Sequence, residues 1–210
     1  MGLYLAALVV GLAGCASLPA PPERPITYDF GAGAVKPLDS DRSAPLPAVA
    51  LASVEGQGPL EGSTAMFYRL DYADARQTQP YAQARWSVPP TQLVRQALAA
   101  RLGQRRPVLA ASESVLLSSY DDGSLPLVVR VELEEFSQIF TSAADSMGLV
   151  RLRVTLVDRT SAGDKLLGQR MVVVQRPAPT PDAAGGVRAL ASATDQAAQD
   201  VARWLEQVRR

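Results

Sequence analysis

Apolar and polar residues alternate along three successive stretches in the second half of the chain, and a period of two predicts strands. Leu127, Val129, Val131 and Leu133 share one face while Arg130, Glu132 and Glu134 share the other. Val150, Leu152, Val154 and Leu156 repeat the pattern against Arg151, Arg153 and Thr155, and residues 165–175 supply a third apolar run. Short polar connections, with residues 158–164 as the second turn, predict an antiparallel meander. In the first half, strands are expected over 26–30, 48–54 and 64–72, punctuated by Gly31 and Gly33, by Pro45 and Pro47, and by Gly56, Gly58 and Pro59. A short edge strand around Tyr81 is expected to pair with the third of these.

The period changes to that of a helix over 87–103, where Leu93, Val94, Ala97, Leu98 and Leu102 form one stripe and Gln92, Arg95, Gln96 and Arg101 are expected to face outward. Pro89 and Pro90 suit its first turn, Gly103 the position just past its end, and Arg105 and Arg106 then lie near the negative end of its dipole. Residues 176–186, with Pro177, Pro179, Pro181 and a glycine pair, read as a loop. A last helix follows, with Val187, Leu190, Ala191, Thr194, Ala197, Ala198, Val201, Leu205 and Val208 at helical spacing, its alanines favouring close approach to a sheet. The expected fold class is α+β: one mostly antiparallel sheet with two main helices packed on one face, built as a single domain over 26–210.

The N-terminal pattern is of another kind. Leu3 to Ala13 is an uncharged apolar run, too short to span a bilayer, which takes about 20 residues. It ends in Leu12, Ala13 and Gly14, directly before Cys15, the one cysteine of the chain. Small residues closing an apolar run beside a thiol are what a lipoprotein signal peptidase recognises. Residues 1–14 are therefore expected to be a signal peptide and Cys15 the lipidated first residue of the mature protein. Residues 15–25, with Pro19, Pro21, Pro22 and Pro25, are an extended spacer. Acyl chains on Cys15 would tether the protein without spanning the membrane. Ala16 follows the cysteine where an acidic residue would retain a lipoprotein at the inner membrane, so the expected location is the periplasmic face of the outer membrane.

Composition narrows the chemistry. Lys plus Arg and Asp plus Glu number 21 each, so no net field gathers nucleic acid. Histidine is absent, which removes the commonest general base and metal ligand. With the sole thiol given to the anchor, neither a disulfide nor a Cys/His zinc site is expected. Two acidic clusters remain, Asp121 with Asp122, and Glu132, Glu134 and Glu135. The first lies in a turn with Gly123 and Ser124; the second is most simply the solvated face of a strand. Residues 31–34 and 163–165 lack the glycine spacing of a phosphate loop. No catalytic residue, metal or cofactor is expected, and no enzymatic activity.

The distinctive cluster is Tyr81, Arg85, Trp86, Pro89 and Pro90. It reads either as a structural staple, Trp86 packing the helix entry against the core with the prolines fixing its angle, or as a surface partly open to a partner. Arg85, Trp86, Ser87, Val88, Pro89 and Pro90, followed by an amphipathic helix near Leu93, resemble the motif of the ABC-type transport auxiliary lipoproteins. The resemblance extends over nearly the whole mature chain: the lipobox, Tyr28 in the first strand, Tyr68 and Arg69, Phe136 in a sheet strand, and Ala189 and Leu190 after a glycine-rich entry to the closing helix. It implies a non-enzymatic accessory lipoprotein of a lipid transport system, partnered with a mammalian-cell-entry domain protein and through it an ABC transporter, forming a homo-oligomeric ring. Two other readings stand beside it. One is an outer-membrane assembly or secretion lipoprotein that binds a β-barrel or a polysaccharide exporter. The other is a carboxylate hydrolase, which would need facing Asp or Glu residues in a cleft.

Overall fold

The computed structural model describes residues 24–31, 46–110, 125–160 and 163–208. Its strands form one 8-stranded sheet: β1 (Ile26–Tyr28), β2 (Val49–Gly56), β3 (Ala65–Leu70), β4 (Ala75–Trp86), β5 (Val108–Ala110), β6 (Leu127–Phe140), β7 (Ser146–Thr160) and β8 (Gly163–Pro177). A single helical turn, α1 (Asp71–Asp74), joins β3 to β4; the two longer helices are α2 (Pro90–Leu102) and α3 (Ala183–Gln207). Cys15, its preceding Leu12, Ala13 and Gly14, and the acidic pair Asp121 and Asp122 lie outside the described residues.

The alternating stretches of the second half form the expected meander, β6 antiparallel to β7 and β7 antiparallel to β8. The sheet as a whole is mixed, which corrects the expectation of a mostly antiparallel one. β1 pairs with β4, β2 with both β5 and β6, and β3 with β6, all in parallel. The cause is connection length: tight turns return a chain antiparallel, whereas β2 and β6 are separated by other strands and by α2, a crossover long enough to bring the chain back parallel.

β6 is the hub of this arrangement. One of its edges is paired along its length by β7; the other is shared, its first half by β2 and its last four residues by β3. At the fork, the registers of β6 with β7 skip Glu134, a bulge between Leu133 and Glu135. A 3-10 turn at Gly58–Leu60 fills the gap as β2 peels away, with the Gln57 amide donating to the Leu133 carbonyl at 3.2 Å. Gly56 ends β2 because a Cβ there would lie 2.8 Å from the Leu60 backbone.

Alternation puts Val129, Val131 and Leu133 of β6, Val150, Leu152, Val154 and Leu156 of β7, and Val172 and Val174 of β8 on the face that α2 and α3 cover. Both helices bury most of the stripes read from sequence, with Ala97 and Ala191 half-buried and Val208 just past the end of α3, and Trp204 joins the stripe of α3. Close approach of α3 depends on small residues: Ala189, Ala193 and Ala197 are at most 2% exposed, and Gly148 of β7 lies beneath Ala189 and Leu190. Among the described residues the opposite face carries a small buried cluster, Ala50, Val128 and Val157, with Ile139 and Leu149 also buried.

Four local expectations are corrected. β4 is a long strand lodged between β1 and β3, not a short edge; Pro80, which cannot donate to a ladder, masks it at a register irregularity opposite Phe67. The first strand ends at Tyr28, two residues early. β8 runs through Pro177 and α3 begins at Ala183, so the supposed loop is a few residues long. There the Asp182 carboxylate accepts the Gly185 amide at 2.7 Å, and the glycine pair fits inside the first helical turn. Arg101 does not face solvent: it is 6% exposed and donates to Asp195 at 2.8 Å.

Candidate functional site

β4 delivers the Tyr81–Pro90 segment to the junction between the sheet and α2. The chain leaves the strand at Trp86, whose amide donates to the Thr64 carbonyl at 2.8 Å; the Ser87 amide then donates to the Tyr28 carbonyl at 2.7 Å. Pro90 opens α2, where a missing amide hydrogen costs nothing, and Pro89 supplies the extended approach with ψ of 141°. Trp86 is 1% exposed, packed edge-on against Phe30 at 5.8 Å and Phe136 at 5.5 Å between ring centroids. Its indole Nε1 is buried and has no hydrogen-bond acceptor.

Tyr81 belongs to a second cluster. Its ring lies 4.7 Å from that of Tyr68, which in turn meets Phe140 edge-on at 5.9 Å. Its hydroxyl donates to Gln138 Oε1 at 2.8 Å, and Gln138 Nε2 donates to Ser146 Oγ at 2.8 Å, linking β4, β6 and β7 through groups buried under the start of α3. Burial, with the nearby Tyr68 and Asp182, holds the Tyr81 phenol well above its ordinary pKa, so it remains a proton donor to Gln138.

The motif is thus divided. Trp86 and Pro90 are core, Pro89 and Tyr81 are half-buried, and Arg85 alone points to solvent. The other signature positions share this character: Phe136 and Leu190 are at most 1% exposed, and Tyr28 sits opposite Trp86 in the β1–β4 register. Trp86 lies packed between the helix entry and the core, while Arg85 stays exposed and Tyr68 and Arg69 half-buried.

Glu132, Glu134 and Glu135 lie on the face of the sheet away from the helices, and each meets a guanidinium. Arg153 Nε donates to Glu134 Oε1 at 2.8 Å and lies 3.8 Å from Glu132. Arg69 Nη2 donates to Glu135 Oε2 at 3.0 Å, and Ser137 Oγ donates to the other oxygen of the same carboxylate at 2.6 Å. These are ion pairs along a strand surface, not carboxylates facing one another across a cleft. Among the described residues no three His, Cys, Asp or Glu side chains are grouped to hold a metal ion, and no helix is long and apolar enough to cross a membrane.

Next to the paired charges, the same face exposes apolar side chains on the edge strand. Met171 is 44% and Val173 51% exposed, and they sit opposite Arg153 and Arg151 in the β7–β8 register. Leu166, nearer the start of β8, is 63% exposed. Sequence reading missed this surface because Met171 to Val174 is a continuous apolar run, in which the two buried valines cannot be told from their exposed neighbours.

A family described as ABC-type transport auxiliary lipoprotein component matches residues 39–202. Among solved structures, the protein XCC0632 of Xanthomonas campestris is similar with a TM-score of 0.60 and 16% identity, over 78% of this chain and 93% of that one. An uncharacterized protein gives a TM-score of 0.61 at 14% identity, over 87% of this chain and 99% of the other. At these identities the likeness is one of fold. No curated protein matches the chain.

Proposed function

The chain belongs to the family of ABC-type transport auxiliary lipoproteins, and from that premise we propose that it is a non-enzymatic docking component of a lipid transport system. In this reading Cys15 carries the acyl anchor and residues 15–25 hold the domain off the periplasmic face of the outer membrane. The partner is a mammalian-cell-entry domain protein, and through it an inner-membrane ABC transporter, engaged by a homo-oligomeric ring of this chain.

One observation carries the docking role: the helices cover a single face of the sheet, and the other presents ion-paired strands bordered by exposed Met171 and Val173. An apolar patch rimmed by charges is the composition of a protein-binding surface. The carboxylates on that face are neutralised by arginines, which suits a surface that recognises and does not react.

The test is affinity purification from native membranes of cells that make a mammalian-cell-entry protein. The wild-type chain is expected to recover it, and a Met171→Lys, Val173→Lys variant of unchanged thermal stability is expected to lose it; a wild-type preparation free of that protein defeats the proposal. Cys15→Ser is expected to leave the washed membrane fraction and to take up no labelled palmitate. Palmitate incorporation into that variant would place the anchor elsewhere.

A further inference from the structure

The end of α2 and the last turns of α3 enclose a cavity of about 470 Å³ on the opposite side of the molecule from the docking face. Its charged lining is one-sided: Arg101, Arg105, Arg106 and Arg203 against a single carboxylate, Glu206. Leu46, Leu102 and Ala202 supply apolar wall between them. The sequence signal for this cluster is slight, since Arg101, Arg105 and Arg106 straddle a helix end and Arg203 is a hundred residues away in the chain.

Three of the arginines have acidic partners. Arg101 Nη2 donates to Asp195 at 2.8 Å and Arg105 Nη1 to Glu206 at 2.9 Å, while Arg203 donates to Asp200. Asp195 and Asp200 are also held by Gln199 and Gln196, each at 2.9 Å. Acceptors still run short. Nε of Arg101 and Nε of Arg105 are both buried without a hydrogen-bond acceptor, although a buried unpaired donor ordinarily costs about 1–3 kcal/mol. Burial and the like charge of Arg105 press the Arg106 guanidinium toward its neutral form, opposed by Glu206, so its charge is held there at a cost.

We propose that this cavity binds a phosphate group, with Arg105 and Arg106 as its principal donors and Arg203 at the mouth. The planar guanidinium fork matches phosphate oxygens two at a time, and several such forks converging on one concave site are what recognises that anion. The volume falls within the range of about 300–1,000 Å³ usual for small-ligand clefts. The apolar wall fits an esterified phosphate, although a free one shares the same chemistry. The site stands independently of the docking surface, being built from different elements and needing no partner.

The full chain carrying Cys15→Ser, free of acyl groups, can be titrated calorimetrically with inorganic phosphate and with monomeric dihexanoylphosphatidylglycerol. Dihexanoylglycerol, which lacks the phosphate, serves as control. Binding of the phospholipid but not of inorganic phosphate assigns the site to a lipid headgroup; binding of both assigns it to phosphate whatever its source. Arg106→Gln is expected to weaken either by roughly tenfold, the worth of one charged hydrogen bond. Arg203→Gln, at a side chain 69% exposed and so safe for folding, is expected to weaken it less and serves if Arg106→Gln does not fold. Binding of neither phosphate probe overturns the proposal, as does equal binding of dihexanoylglycerol or affinity unchanged in both variants. None of these outcomes bears on recovery of a membrane partner, so the two proposals fail separately.

Discussion

Removing the indole of Trp86, which is 1% exposed, takes away the ring against which Phe30 and Phe136 both pack. Trp86→Ala is expected to cost about 3–5 kcal/mol, read from chemical denaturation. Trp86→Phe should cost far less, because the Nε1 hydrogen it deletes has no acceptor to lose. Asp182 acts by charge. The Gly185 amide first, and then the Thr180 hydroxyl, hold its carboxyl below the ordinary value of 3.8. A folded pKa below the unfolded one stabilises above the unfolded value and fades as pH falls through the folded value. Asp182→Asn should therefore flatten the acid limb of a stability profile taken from about pH 5 to about pH 2, while Asp182→Ala also loses the N-cap, about 1 kcal/mol at neutral pH.

At the scale of elements, α3 is positioned by what the strands beneath it lack. A Cβ on Gly148 would fall 2.7 Å from the Leu190 amide nitrogen and 2.8 Å from the Ala189 carbonyl carbon, so the helix backbone itself must lift. A Cβ on Gly186 would fall well inside contact distance of Gln138 Oε1, the buried acceptor of the Tyr81 hydroxyl, so Gln138 must give up that hydrogen bond to make room. Gly148→Ala is expected to destabilise by about 1–3 kcal/mol through overpacking, and Gly186→Ala by a similar amount, since the up to about 1 kcal/mol of helix propensity that alanine recovers offsets only part of the overpacking and the displaced Gln138 hydrogen bond. Denaturant midpoints of both variants below that of the wild type would check this. The helices were legible because their period runs on for several turns, and β6 and β7 because they alternate from Leu127 to Leu133 and from Val150 to Leu156. β4 was not, because Pro80 and the glutamines around it interrupt its period. The direction of β2 and β3 was invisible for a different reason: parallel pairing depends on which distant strand lies alongside, and no local pattern encodes that. The aromatic cluster stood out in sequence with both a packing and a partner-facing reading open, whereas the arginine cavity, assembled from two helices far apart in sequence, left little trace in spacing.

At the scale of the molecule, the sheet divides at the fork on β6 into two wings, β3 with β4 and β1 on one side, β2 with β5 on the other. Each wing reaches the meander only through β6, so the strand has partners on both edges while β1 and β5 contribute three residue pairs apiece. Amide hydrogen exchange is expected to follow that gradient, slowest in the middle of β6 and β7 and fastest in β1 and β5. Protection in β1 equal to that in β6 would contradict it. The fork also has a kinetic meaning. The meander closes through short loops, but neither wing can dock until β6 exists to receive it, and both docking steps join residues distant in the chain. Assembly of the full sheet should then wait on the C-terminal hairpins, so that a chain emerging from its N-terminal end, as one crossing a membrane does, holds its wings undocked until β6 arrives.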